Sequence, residues 1–399
     1  MDRSLKFHLE QACGSARAGV LVTSHGRVPT PAFMPVATQG SVKALGPDEV
    51  EEIGARIVLA NAYHLCLRPG VGLVRKLGGL HAFSGWEGPM LTDSGGFQAF
   101  SLGRLGRLTE DGLLFRSHID GSEHLLTPES SMRDQLGLGA DIIMCLDQCI
   151  AVGEGREAVG RAMERTHRWA LRCRDSRRGY PQGEGGALFG IVQGGVFEDM
   201  RRESAGYVTS LDFDGYAIGG LAVGESKAEM YGMVELVTPL LPRDRPRYLM
   251  GVGAPEDLVE CVYRGVDMFD CALPTRVARN GALYTPQGRV DIASGRFRDV
   301  VGPVQDDCDC YACRRFSAAY LHHLFKTKEI LGLRLASMHN LRFVLRLMED
   351  IRQAIAEGEL ETFRREFLAA FTPTDEGARQ SHKEAWMRAR GMLGPSGPA

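Results

Sequence analysis

Asp270 stands inside the apolar run "VDMFDCALP", residues 266 to 274, with Arg276 and Arg279 close behind it. A carboxylate in such surroundings is either a reacting group or a buried structural acid. Other polar groups share its setting. Asp93 with Ser94, Gly95 and Gly96 follows "PMLT", Asp147 follows "DIIMCL", Gln193 follows "ALFGIV", Gly219 and Gly220 follow "GYAI", and Gly251 to Gly253 follow "RYL" and Met250. One acid at such a point can be a helix cap or half of an ion pair, but a set of them, each ending a different apolar run, points to one pocket. Asp147 and Gln193 can pair with the edge of a flat heterocycle such as guanine, and the glycines let backbone groups approach it. Phe97 and Met250 can cover its faces. A second acid, Asp93 or Asp270, completes the pair that glycosidic chemistry uses, one nucleophile and one general acid/base.

A second cluster has different chemistry. Cys308, Cys310 and Cys313 form C-x-C-x2-C, with His322, His323 and His339 downstream. Three thiolates within six residues need one imidazole to complete a tetrahedron, which suits a structural zinc ion with every position filled by protein. Spacing alone leaves the choice of histidine open.

These groups need elements to carry them. Eight short runs are apolar early and polar or glycine-rich late: 32–38, 56–64, 89–96, 141–149, 187–195, 215–222, 247–253 and 266–274. Helix-length segments such as "PDEVEEIGA", "PESSMRDQLGLGA" and "APEDLVECVYRGV" separate them, opened by proline or acids as helix starts are. The pattern predicts an α/β fold, a (β/α)8 TIM barrel whose strands carry function at their C-terminal ends. An open doubly wound sheet is the alternative, but no G-x-G-x-x-G follows an early strand. "GLLFRSHIDGSEHLLT" (112–127), with Asp120-Gly121 at its centre, predicts an inserted hairpin at the barrel mouth. We expect residues 1–300 to form the barrel, 301–390 a zinc-binding helical subdomain packed on it, with a helix over 340–358, and 391–399 a flexible tail.

Composition narrows the class. The chain has 399 residues, 44% of them hydrophobic, and no apolar stretch near the roughly 20 residues of a membrane span. No apolar signal-peptide core follows the N-terminus, so the expected compartment is the cytoplasm. The ten cysteines are scattered apart from the one cluster, which argues for thiols and a metal rather than a disulfide framework. The formal charge is −3, but residues 271–345 hold eleven Lys+Arg against six Asp+Glu, a basic stretch able to meet an anionic partner such as nucleic acid.

"LTDSGGFQAFSL", "GIVQGGVFEDMRRESA", "YAIGGLAVGE", "MGVGAPEDLVECVYRGVDMFDCALPTRVARNG" and the C-x-C-x2-C with a later histidine resemble signatures of the tRNA-guanine transglycosylase family, in its bacterial branch, from residue 91 to 339. The resemblance implies a zinc-containing barrel enzyme, a pentosyltransferase that replaces guanine at wobble position 34 of tRNAs with GUN anticodons by a 7-deazaguanine, through a covalent tRNA–aspartate intermediate. Those tRNAs are the ones for aspartate, asparagine, histidine and tyrosine. By resemblance Asp270 is the nucleophile at ribose C1′ and Asp93 the general acid/base. Asp93, Ser94, Gly95, Gly96, Phe97, Asp147, Gln193, Gly220, Leu221 and Met250 line the base pocket. The RNA-contacting segments are Gly251, Val252, Gly253, Ala254, Pro255, Glu256 and Asp257, and then Thr275, Arg276, Val277, Ala278 and Arg279. His339 becomes the fourth zinc ligand, one ion per subunit, and a homodimer is implied.

"GGLAVGE" and Cys149 resemble members that insert preQ1, the aminomethyl precursor. Gln148 and the following "IAVGEG" depart from the usual bacterial Asp-Glu-Cys and Thr-Pro stretch, and queuine is the alternative incoming base. A catalytically silent tRNA-binding subunit and a barrel glycoside hydrolase are the competing readings. Retention of both Asp93 and Asp270 argues against the first, and the zinc cluster and a purine-shaped pocket against the second.

Overall fold

The computed structural model describes residues 5–102, 107–150, 153–180 and 185–373, so the expected tail at 391–399 and the stretch before it from 374 lie outside the described residues. Eight parallel strands close into a barrel: β1 (Ala32–Ala37), β2 (Val58–Ala60), β3 (Met90–Thr92), β4 (Ile142–Met144), β5 (Ala187–Val192), β6 (Gly215–Ile218), β7 (Arg247–Leu249) and β8 (Met268–Cys271). Each pairs with its sequence neighbours, and β8 closes the ring on β1 with Asp270 opposite Met34. All eight lie within the runs the sequence marks out.

Side chains alternate across a strand, so parity decides which residues look inward. Met34, Leu59, Leu91, Met144, Phe189, Ile191, Ala217, Tyr248 and Met268 form the inner cluster, while Phe33, Ile143, Leu188, Val192, Leu249 and Phe269 pack outward with the helices. Counting two residues on from Leu59, Leu91, Ile191 and Met268 gives Asn61, Asp93, Gln193 and Asp270 on the inward side. The polar groups therefore sit one layer above an apolar plug, at the C-terminal mouth.

The opposite end is sealed by a three-stranded antiparallel sheet, Lys6–Cys13, Ala16–Thr23 and Gly26–Thr30, which the sequence reading does not anticipate. Its Leu21 and Val28 join the inner cluster beside Ala32, Ile57, Ile142 and Ala187 at the strand starts. At the mouth, the expected hairpin forms: Leu113–Arg116 pairs with Glu123–Leu126, and a short strand, Arg107–Leu108, extends the sheet. Its tip reaches the helix after β2, α1 (Ala62–Leu67), where the Tyr63 hydroxyl and His118 Nδ1 lie 3.1 Å apart.

Helices α2 (Gly79–Ser84), α3 (Arg156–Arg178), α4 (Glu198–Ser210), α5 (Pro255–Tyr263) and α6 (Leu273–Arg279) surround the barrel with others between them. The last long helix, α7 (Ile330–Glu357), starts ten residues before the predicted 340. Met338, Leu341, Val344, Leu345, Met348 and Ile351 on it are buried in the same outer core as Phe33 and Phe269 of the barrel wall. Each such side chain contributes about 1.5–3 kcal/mol of burial, so this face holds the helix firmly to the barrel. Among the described residues, no helix is long and apolar enough to cross a membrane.

Candidate active site and metal centre

Asp93 follows β3 directly and is buried. Its two oxygens accept from the Asn61 side-chain amide and from the Ala62 backbone N–H at 2.8 Å, both at the end of β2. Burial pushes this carboxyl up to about 6, against the two donors, and the Asp270 charge pushes the same way. The two acids thus share one electrostatic site.

Asp270 is half-buried, and one oxygen, Oδ1, accepts both of its hydrogen bonds, from the Tyr248 hydroxyl and from the Gly251 N–H at 2.8 Å. Oδ2 takes none among the described residues. Burial raises this carboxyl's pKa while the two donors oppose it. No ion pair joins it to Arg276 or Arg279 among the described residues.

Asp147 follows β4, buried, and its Oδ2 accepts from Gln193 Nε2 at 2.7 Å. Burial lifts it to about 6, against the Gln193 amide and its own backbone N–H. Gln193 is placed by close backbone approach. Gly220 has φ +64, and a β-carbon there would come within 2.3 Å of Gln193 Oε1; one on Gly219 would meet Gln193 Nε2 at 2.8 Å. Leu221 is buried beside them, and Ser94 is buried with its hydroxyl accepting from the Gly96 N–H at 3.3 Å. Phe97 is exposed, whereas Met250 is half-buried and packs on the inner cluster.

The expected RNA-contacting segments divide. Gly251 and Arg276 are exposed and Ala254 and Arg279 half-buried, whereas Val252, Gly253, Pro255, Thr275, Val277 and Ala278 are buried. Glu256 and Asp257 are buried too and hold Lys227 at 2.6 and 2.7 Å, which makes them braces of α5. Arg279 Nη1 is buried with no hydrogen-bond partner among the described residues.

Four contributors escape the sequence reading. Asn61 and Tyr248 position the two acids, and strand parity is the signal that finds them, since each sits two residues from an inward neighbour or on the inward face itself. Arg201 is fully buried on α4: its guanidinium donates to the carbonyls of Gly195 (2.8 Å), Val192 (3.0 Å) and Gly219 (2.8 Å), joining the ends of β5 and β6. Burial lowers its pKa to about 10, partly offset by the Glu225 charge. Glu225, also buried, accepts from the backbone N–H of Ala222, Val223 and Gly224 and so fixes the loop after β6.

The cysteine cluster forms one tetrad. The sulfurs of Cys308, Cys310 and Cys313 lie 3.6, 3.8 and 3.3 Å from His339 Nδ1, with all four residues buried. His339 Nε2 lies 2.7 Å from the Tyr284 carbonyl, which takes its proton and leaves Nδ1 to face the thiols as a ligand must. Donor types, spacing and tautomer fit a metal ion. The other histidines do not enter: His322 Nδ1 bonds the Ile292 carbonyl at 2.8 Å, and His323 is exposed. Next to His339 on α7, Asn340 accepts from the Tyr284 N–H at 2.9 Å and donates to the carbonyls of Pro274 and Ala282 at 3.1 and 2.9 Å, tying the cluster to α6.

Comparison with known proteins agrees with this geometry. The sequence profile of the family described as "Queuine tRNA-ribosyltransferase" matches residues 12–373. The chain is 54% identical over 379 residues to a protein of that name from Herpetosiphon aurantiacus, covering 95% of this chain and 96% of the relative. It is 54% identical over 356 residues to one from Pelotomaculum thermopropionicum, covering 89% and 95%. A third, from Symbiobacterium thermophilum, is 53% identical over 384 residues, covering 96% and 95%.

Proposed function

The chain belongs to the queuine tRNA-ribosyltransferase family, and from that premise we propose how its own residues exchange a base. It is a tRNA-guanine transglycosylase, a pentosyltransferase, and its substrate on this reading is guanine at wobble position 34 of tRNAs with GUN anticodons. The observation that carries the reading is the asymmetric bonding of Asp270, whose Oδ1 is occupied twice while Oδ2 has no hydrogen-bond partner among the described residues.

The target base leaves the anticodon stack to enter the mouth, a step that costs a few kcal/mol and is cheapest in a single-stranded loop. Asp147 and Gln193 take its edge, and Gly220 and Leu221 supply backbone. Asp270 Oδ2 attacks ribose C1′ as the C1′–N9 bond breaks, and Asp93 supplies the proton that the departing guanine needs. A carboxyl raised to about 6 is partly protonated near neutrality and can give that proton and later take one. The incoming 7-deazaguanine then surrenders its N9 proton to Asp93 and attacks C1′, and the ester bond to Asp270 breaks. The Tyr248 and Gly251 donors stabilise the carboxylate as it is released.

The incoming base on this reading is preQ1, with queuine as the alternative. Gln148, where bacterial relatives usually have an acid, accepts from Arg165 Nη1 at 2.7 Å and is turned to α3, which favours keeping queuine in the comparison. Exposed Arg276, with half-buried Arg279 beside it, would meet the flanking phosphates. Zinc is the ion that Cys308, Cys310, Cys313 and His339 would hold, supplying a structural crosslink and no chemistry. Residues 1–300 serve as the catalytic unit and the segment from 301 as the metal-bearing one, with cytoplasmic location and a homodimer completing the proposal.

The test incubates the protein with radiolabelled guanine and an unmodified GUN tRNA. Wild type incorporates label and Asp270→Asn does not; incorporation by the variant at the wild-type rate rejects the nucleophile. No incorporation by either protein supports the silent subunit. Chasing bound label with preQ1 or with queuine decides the incoming base.

A further inference from the structure

At the sealed end of the barrel, far from the mouth, His25, His81 and Asp141 bring three metal-ligating atoms within 4.8 Å of one another. They come from three separate elements. His25 occupies the turn between the second and third strands of the N-terminal sheet, His81 lies in α2, and Asp141 precedes β4. His25 Nδ1 is 2.8 Å from Asp141 Oδ1, and His81 Nε2 is 3.3 Å from Asp141 Oδ2.

We propose that His25, His81 and Asp141 form a second, open divalent-metal site that staples the basal sheet to the barrel. The ligand set, two imidazoles and a carboxylate, suits Zn2+, Ni2+ or Co2+ rather than a hard ion. Metal–nitrogen distances of about 2.0–2.1 Å make the edge of a tetrahedron about 3.3 Å, the spacing already present between His81 and Asp141. His81 Nε2 is buried and meets Asp141 Oδ2 at 3.3 Å without the alignment of a hydrogen bond, as two ligands of one ion would stand.

The carboxylate is held from behind, Oδ1 by the Ser24 hydroxyl at 2.8 Å and Oδ2 by the Met90 N–H at 2.9 Å, the kind of outer support that orients a ligand. A concavity lined by Leu5, Leu136, Gly139 and Gly185 adjoins His25 and Asp141 and leaves room for water on the ion. The imidazoles are stacked, centroids 3.6 Å apart at 14°, whereas an ion lies in the plane of each ring it binds. Binding therefore swings one ring aside, and His25, the more exposed of the two, is the ring that would turn, exchanging its contact with Asp141 for one to the ion.

Titrating zinc-loaded protein with Ni2+ by calorimetry tests this, with Co2+ absorption as the second readout. Wild type is expected to take one Ni2+ per chain beyond the zinc already present, with a higher melting temperature. His81→Gln and His25→Gln are expected to weaken that binding at least tenfold and abolish the thermal gain while keeping their zinc and melting normally in its absence. Bound Co2+ is expected to show weak bands without thiolate charge transfer. No binding by wild type, equal binding by the variants, or a thiolate band each overturns the site.

Discussion

Asp147 is the acid whose replacement separates recognition from stability. Folded, it ionises near 6 against an ordinary 3.8, so between those values the folded chain binds more protons and stability falls as pH rises through that window. Above it the charged, buried carboxylate carries a penalty of up to about 3 kcal/mol by that linkage. We expect Asp147→Asn, which keeps an acceptor for Gln193, to gain about 1–3 kcal/mol in denaturant unfolding at pH 7.5 and to gain little at pH 4, while KM for guanine rises at least tenfold. A variant that unfolds no later than wild type at pH 7.5 counts against the buried charge. Asp93 is raised to the same region, and it must be protonated to release guanine while Asp147 must be charged to hold it, so kcat/KM for tRNA should fall on both sides of about pH 6. Gly220→Ala tests the fit around Gln193. Its β-carbon would displace the amide, and a loss of base binding without loss of fold is expected by guanine titration and circular dichroism. Asp93, Asp147, Gln193 and Asp270 were legible because each ends an apolar run, whereas Asn61 looks like any asparagine until strand parity is applied.

Between strands, Arg201 does for the rim what hydrogen-bonded sheet does below it. The guanidinium donates to the Gly195 and Gly219 carbonyls and adds a second donor to the Val192 carbonyl, which also accepts from the Gly219 N–H. Arg201→Met is expected to destabilise by about 3–5 kcal/mol, as loss of one side of a buried polar network does, measurable as a lower denaturant midpoint. A charge inside an amphipathic helix reads from sequence as a solvated face, so this role was hidden. The basal sheet was hidden for another reason: its first strand is exposed along most of its length, which erases the two-residue contrast that marks a half-buried strand. Helix α7 extended past its expected start because His339 and Asn340 are buried against β-structure and α6, where a pattern of polar residues suggests a boundary. Stripping the metal from the cysteine tetrad should loosen α6 through Asn340, and chelator treatment is expected to lower the melting temperature and weaken tRNA binding together.

On the scale of the molecule, the mouth and the base have separate tasks. The proposed grip on RNA is electrostatic at Arg276 and Arg279, so removing both is predicted to reduce the slope of log affinity for tRNA against log salt by about 1.4–1.8 and to weaken all tRNA sequences alike. An unchanged slope would move the phosphate contacts elsewhere. The ring itself closes between β8 and β1, where Asp270 stands opposite Met34 and Cys271 opposite Pro35. These partners are separated by most of the chain, so this pairing carries the largest loop-closure penalty of the eight and depends on nearly all the sequence being available. A chain that ends before β8 leaves β7 and β1 without their shared partner and lacks Asp270, the proposed nucleophile. On the proposed mechanism such a truncated product is expected to form no covalent adduct with tRNA, which denaturing gel electrophoresis with labelled tRNA would check.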